Sequence, residues 1–465
     1  MKREPMQPLW QFSAGELGAT FRDGLSTPSE ALRSVLARIE EVNPRINAIV
    51  TLDRTGAEKA AEASDRRWAN GQPLGPLDGV PVTIKDSILV RGLRATWGSQ
   101  LYADYIPEAD EEPVARLRAS GAVILGKTNV PEFTLHGYTD NALFGTTRNP
   151  WNLSLTPGGS SGGAVAAVAS GCGPIALGTD GGGSIRRPAA HTGLVGFKPS
   201  RHMVPRANGF PVILHDFEVI GPIARHVGDI VLTMDVIAGR QPESRAADTI
   251  RRPARILFIP TFSGAPVDPV ISQAVTDVAA TLERQGHQVE RVDDFKLAAP
   301  IAEVWPVISQ TGLAWLLSQR PGSEAMIAPA LADMALNGRA YAATDYLNAL
   351  DVIKKVDQEF VRLFEHVDIL LTPTTAAMPW PATQTHPEAI AGEPVGPRGH
   401  AVFTPFANAL GLPAISLPCA VDAQTLPIGF QLCMAKGRDR ALLNFARDYE
   451  RITARPASWP LISAG

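Results

Sequence analysis

The chain has 465 residues, 45% hydrophobic and 19% charged, with a formal net charge of −4. That balance is ordinary for a globular enzyme, excludes a disordered or fibrous chain, and offers no basic field or charged tail for nucleic acid. The three cysteines, Cys172, Cys419 and Cys433, are too few and too scattered for a disulfide framework or a zinc cluster, and the expectation is a cytoplasmic protein without metal or cofactor.

The first segment, MKREPMQPLWQFSAGEL, lacks the apolar core of a signal peptide, and no later apolar run reaches the length of a membrane span. STPSEALRSVLARIEEVNP predicts the first strong helix. Thr27 caps it, Pro28 suits its first turn, Glu30 closes a capping box, and Leu32, Val35, Leu36 and Ile39 form one stripe. GAEKAAEASDRRWANG predicts a second helix. GVPVTIKDSILV reads as a strand pair or as a strand and loop, and carries Lys85 and Asp86. EEPVARLRASGAVILGKTN reads as a helix, a stop at Gly121, and a buried strand from Ala122 to Leu125. GGAVAAVASG predicts a short helix of small residues, flanked downstream by the apolar strands in GPIALG and GLVGFKP. Beyond residue 250, ARILFIP, HQVERV, VDILLTP, PAISLP and PIGFQLC read as strands. Residues 297–366 read as mostly helical, and RDRALLNFARDYER as a closing helix. With no linker and no internal repeat, the expectation is one α/β domain over residues 1–465. Its buried sheet is mixed or largely parallel, with helices covering both faces.

Three glycine-rich stretches compete for the chemistry. GAVILGKT, residues 121–128, matches the phosphate-loop pattern letter for letter, but Ala122 to Leu125 want to be a strand and a helix precedes Gly121, so its context is wrong. PGGSSGGAV, residues 157–165, contains G-x-S-x-G twice, on Ser160 and on Ser161. The loop-like NPWNLSLTP before it is not the strand a nucleophile elbow needs. A serine capping the following helix is an equally good reading. LGTDGGGSIRRPA has better context: a short strand runs into Gly181, Gly182 and Gly183, and Ser184 opens a short helix. Amides at a helix start converge on one point and favour an anion, such as a developing oxyanion; a capping serine is the plainer alternative.

Taken together, these segments resemble the amidase signature family. The resemblance rests on GVPVTIKD, GKTNVPEF, FGTTRNPW, PGGSSGG, LGTDGGGSIRRPA followed by GLVGFKPS, and FTPFANALGLPAISLPC with LPIGFQL. The pieces keep the family's order across nearly the whole chain, and the block over residues 121–199 is highly specific. The resemblance implies the amidase signature fold, with a signature core over residues 75–225 and a more variable, substrate-shaping helical region over 295–400. It implies Lys85, Ser160 and Ser184 as a catalytic triad, with Ser160 following a cis peptide bond and Ser184 as nucleophile. It also implies Gly181, Gly182 and Gly183 with the Ser184 amide as an oxyanion hole. Ser161, Thr179, Asp180 and Arg186 are expected in support, Arg186 by bonding backbone or Ser161.

These residue types suit that chemistry. A serine hydroxyl needs a base, and a lysine serves only when neutral, which requires burial or nearby positive charge. Ser160 then relays the proton between Ser184 and Lys85. The expected reaction is hydrolysis of a small amide, with esters and carbamates also open to an acyl-enzyme route. The partner is a small molecule and not a nucleic acid or membrane, and the protein is expected as a monomer or homodimer. Trp305, Trp315, Met378 and Trp380 are candidates for an apolar or aryl pocket, with core packing as the competing account. The alternative is a glutamine-hydrolysing component of a tRNA-dependent amidotransferase. RHMVPRANGF, residues 201–210, departs from the Gly-Arg turn typical of such proteins. A second departure is glycine at position 181, where many members carry a larger residue.

Overall fold

A computed structural model describes residues 7–238, 250–422, 426–453 and 458–462. Its sheet is built from β1 (Ile49–Leu52), β2 (Pro81–Lys85), β3 (Val123–Thr128), β4 (Ile175–Asp180), β5 (Val195–Lys198), β6 (Val219–Ala224), β7 (Arg255–Phe258), β8 (Gln288–Arg291) and β9 (Ile369–Pro373). A separate ribbon of β10 (Ala389–Ile390) and β11 (Glu393–Pro394) precedes β12 (Ala414–Val421) and β13 (Pro427–Cys433), which return to the sheet. The eleven strands lie in the order β1-β3-β2-β4-β6-β5-β12-β13-β9-β7-β8. Pairing is parallel between β2 and its neighbours β3 and β4, and between β7 and its neighbours β8 and β9; the centre is antiparallel. The sheet is therefore mixed.

Period-two alternation explains why helices cover both faces. In β4, Ile175 and Leu177 point into a core shared with helices Val227–Ile237, Pro269–Arg284 and Asp439–Ile452. Ala176 points the other way, onto Gly162–Ala169 and Arg186–Thr192. The helix Gly162–Ala169 is buried along its whole length, and its small residues let it lie close on the sheet. The capping box of Thr27 and Glu30 is formed, and that helix runs Pro28–Ile46, two residues past Pro44. The region expected to be helical supplies Ala299–Ser318, Pro329–Ala340 and Ala343–His366.

Two consequences bear on the site. Because β2 and β4 are parallel neighbours, with Ile84 opposite Leu177, both carboxyl ends reach the same edge of the sheet. Lys85 ends one strand and Asp180 the other, the edge where open parallel sheets place their ligands. The phosphate-loop lookalike lies inside β3, which extends to Thr128 rather than stopping at Leu125. Lys127 is fully buried there, and its Nζ donates to the carbonyls of Ile88 (2.6 Å) and Asp86 (3.3 Å). Among the described residues no helix is long and apolar enough to cross a membrane.

Candidate active site

Lys85 is sealed from solvent at the end of β2. Its Nζ lies 2.8 Å from Ser160 Oγ, 2.8 Å from Thr179 Oγ1 and 3.3 Å from the Thr179 carbonyl. A neutral amine has two N–H groups and one lone pair. Donating to the two Thr179 oxygens leaves the lone pair facing the Ser160 hydroxyl. Burial is the main force on this lysine and lowers its pKa to about 7. Glu218 and Asp180 work against that, while Arg206 and Arg187 add to it. A substantial fraction of Lys85 is thus neutral at pH 7.

Ser160 follows a cis peptide bond from Gly159 and is itself fully buried. Ser161 heads the helix Gly162–Ala169 but makes no side-chain cap. Its hydroxyl donates instead to the Thr179 carbonyl (3.2 Å), and its N–H to the Ser184 carbonyl (3.1 Å), so the two serine-bearing loops are stitched together. Ser184 is 6% exposed and faces a cavity of about 460 Å³, with Gly181 and Gly182 beside it.

The glycine loop is held from beneath by Asp180. Its carboxylate accepts from the N–H groups of Gly183 (2.7 Å), Ile185 (3.1 Å) and Arg186 (3.3 Å), and from the Arg186 guanidinium (2.8 and 3.0 Å). Burial alone would raise this carboxyl's pKa; the charge and hydrogen bonds of Arg186 outweigh it and hold the group ionised. This corrects two sequence-based expectations. The helix begins at Arg186, not at Ser184, and the anion at its start is Asp180. Of the three glycine amides, that of Gly183 is therefore already committed. The N–H groups of Gly181, Gly182 and Ser184 have no partner among the described residues. Gly183 has φ +111°, and a Cβ there would lie 2.2 Å from Thr404 Oγ1, so only glycine fits.

Arg186 does support the loop, though not through Ser161. It donates to Asp180, Asn408 Oδ1 (2.6 Å), Gln431 Oε1 (2.6 Å) and the Thr404 carbonyl (3.2 Å). Thr404 Oγ1 donates to the Gly182 carbonyl (2.8 Å), and Asn408 Nδ2 to the Asp180 carbonyl (2.6 Å). Residue-level reasoning missed these three. The only signal was that FTPFANALGLPAISLPC and LPIGFQL, which hold them, belong to the motif set.

Of the four apolar pocket candidates, only Trp305 reaches the cavity, where it stacks on Phe217 at 5.9 Å. Trp315 is 47% exposed. Met378 and Trp380 line a different pocket, and Trp380 packs on His191 and His400. Leu214 and Met334 join Trp305 in the wall. Position 181 explains itself here: a Cβ on Gly181 would lie 2.6 Å from Leu214 Cδ1, so glycine leaves cavity space beside that leucine. RHMVPRANGF also has a role the sequence did not reveal. Arg206 bridges Glu111 and Glu218 at 2.8 Å each, and Glu218 lines the cavity. Among the described residues no group of three or more His, Cys, Asp or Glu side chains is placed to hold a metal ion.

A buried lysine against a buried serine, with a second serine facing a cavity beside backbone amides unpaired among the described residues, is an arrangement suited to acyl transfer. The chain belongs to the amidase family: the family model "Amidase" matches residues 30–443, and the chain is an amidase signature hydrolase acting on C–N bonds. It is 35% identical to a glutamyl-tRNA(Gln) amidotransferase subunit from Carboxydothermus hydrogenoformans, over 96% of this chain and 99% of that one. It is 33% identical to an indoleacetamide hydrolase from Bradyrhizobium diazoefficiens, over 96% and 87% respectively. The crystal structure of a bacterial aryl acylamidase of the amidase signature family superposes with a TM-score of 0.87 at 28% identity, covering 97% of this chain and all of that one.

Proposed function

We propose that this protein hydrolyses the carboxamide bond of small apolar or aryl substrates through an acyl-enzyme on Ser184. The observation that carries the reading is the 2.8 Å contact of Lys85 Nζ with Ser160 Oγ in a sealed floor beneath Ser184. Neutral Lys85 takes the Ser160 proton while Ser160 takes that of Ser184, whose oxygen attacks the carbonyl carbon. The developing oxyanion is met by the free amides of Gly181, Gly182 and Ser184. Collapse breaks the C–N bond; the amine leaves with a proton from Ser160, which Lys85 replaces. Water then attacks the acyl-enzyme by the same relay, and carboxylate departs. Esters and carbamates fit the same route, because nothing in it requires nitrogen as the leaving atom.

The cavity volume suits a small molecule. The substrate body packs on Trp305 and Met334, from a substrate-shaping region over residues 295–400, and on Leu214 from the signature core at 75–225. The protein works in the cytoplasm as a monomer or homodimer, without a nucleic-acid partner.

A second reading, glutamine hydrolysis for a tRNA-dependent amidotransferase, is favoured by the 35% identical relative. Assaying ammonia release from small aryl and alkyl carboxamides and from glutamine separates the two. Turnover of the aryl or alkyl amides by the chain alone is expected. Turnover confined to glutamine in the presence of a partner protein would replace the first reading with the second.

A further inference from the structure

The cavity wall carries positive charge that the proposed chemistry does not use. Arg186 and Arg187 are neighbours in one helix, yet only Arg186 meets a carboxylate. Arg187 is 6% exposed and has no ion pair among the described residues. Its Nε reaches the Gly183 carbonyl at 3.4 Å, its Nη1 lies 2.8 Å from His400 Nε2, and its Nη2 has no partner among the described residues. A second arginine, Arg398, lines the same cavity at its accessible rim, over the Trp305 ring at 5.8 Å, and also lacks an ion pair among the described residues.

The other titratable groups of the wall do not cancel this charge. Burial holds His400 well below its ordinary pKa and brings His136 to about 4, so both are neutral at pH 7. Burial, then repulsion from Arg398, lowers Arg187 to about 9, which still leaves it cationic. Glu218 is the one carboxylate among the described lining residues; Arg206 bridges it and Glu111 at 2.8 Å each, and that single carboxylate does not balance the two arginines. A buried cation without a partner is costly, and a carboxylate is the planar, two-oxygen group that a guanidinium matches.

We infer that the substrate amide carries a carboxylate, which pairs with Arg187 under the added field of Arg398 while the apolar body rests on Trp305. This names the substrate class of the proposed site and rests on the amidohydrolase reading.

The test is a set of matched amide pairs of near-equal shape: succinamate with butyramide, and 4-carboxybenzamide with 4-methylbenzamide. The anionic member of at least one pair is expected to be favoured in kcat/KM by about 10- to 100-fold, the worth of a charged hydrogen-bonded contact. Arg398→Gln, at the accessible rim, and Arg187→Gln should both pull that ratio toward one, and Arg398→Lys should retain part of it. Labelling of Ser184 by a fluorophosphonate checks that each variant keeps a formed site. Equal or faster turnover of the neutral member in every pair overturns the proposal while leaving hydrolysis intact. Failure of the unmodified protein to label at Ser184 is a different result, and overturns the reading beneath it.

Discussion

Below Ser184 and beside it, the two halves of the site are built on different terms. The floor is made where β2 and β4 end side by side, and Lys85, Ser160, Ser161, Asp180 and Arg186 there all have hydrogen-bond partners. The wall comes from residues 134–138, the helix Ala299–Ser318 and residues 397–401, with Arg187, Leu214, Glu218 and Met334. Among the described residues it leaves His400 Nδ1 buried without a partner and Arg187 without a carboxylate. In the proposed mechanism the floor is the proton path and tolerates little change. The wall keeps unmatched groups for something that arrives, which is how a rigid scaffold can hold its chemistry while its loops choose the substrate.

The comparison predicts large effects below and moderate ones beside. Ser184→Ala and Lys85→Ala should each lower kcat/KM by about 10⁴-fold or more in steady-state assays, the scale seen when members of a concerted triad are removed. Asp180→Asn attacks the support of the floor. It strands the Arg186 charge in a sealed site and should cost about 3–5 kcal/mol of stability in urea denaturation, because a buried pair broken on one side leaves an uncompensated ion.

The pH profile comes next in size. Lys85 works only when neutral, and burial favours that form, so kcat/KM should rise with pH through about 7 and level off above it. Below that point it should fall about tenfold per unit. A flat profile between pH 5 and 8 would remove Lys85 as the base. In the wall, Trp305→Ala should raise KM for aryl amides by about tenfold with little change in kcat, since it removes packing area common to ground and transition states. Smallest is Gly181→Ala, whose methyl group presses on the far end of the Leu214 side chain. It should alter KM by less than about tenfold, more for bulky substrates than for acetamide-sized ones.

The same division governs what the sequence made legible. Lys85, Ser160 and Ser184 could be named because short motifs with fixed local order carry them. The wrong context of GAVILGKT could be read from Val123, Ile124 and Leu125, which are strand residues wherever they occur. Asn408 and Gln431 could not be given roles, since their bonds to Arg186 span 222 and 245 positions and no local spacing encodes that. For Trp305, Trp315, Met378 and Trp380 the choice between pocket and core packing stayed open for a related reason: apolar character shows that a side chain seeks cover, not which pocket it faces. Arg187 drew no expectation from the sequence: that only Arg186 of the two neighbours meets an acid among the described residues is a matter of three-dimensional placement.

The central claim is that Lys85, through Ser160, makes Ser184 the nucleophile. Treating the protein with a fluorophosphonate and locating the adduct by mass spectrometry tests it most directly. The account predicts a single adduct on Ser184, lost or slowed by orders of magnitude in Lys85→Ala. An adduct on another serine, or unchanged labelling of Ser184 in Lys85→Ala, would contradict it.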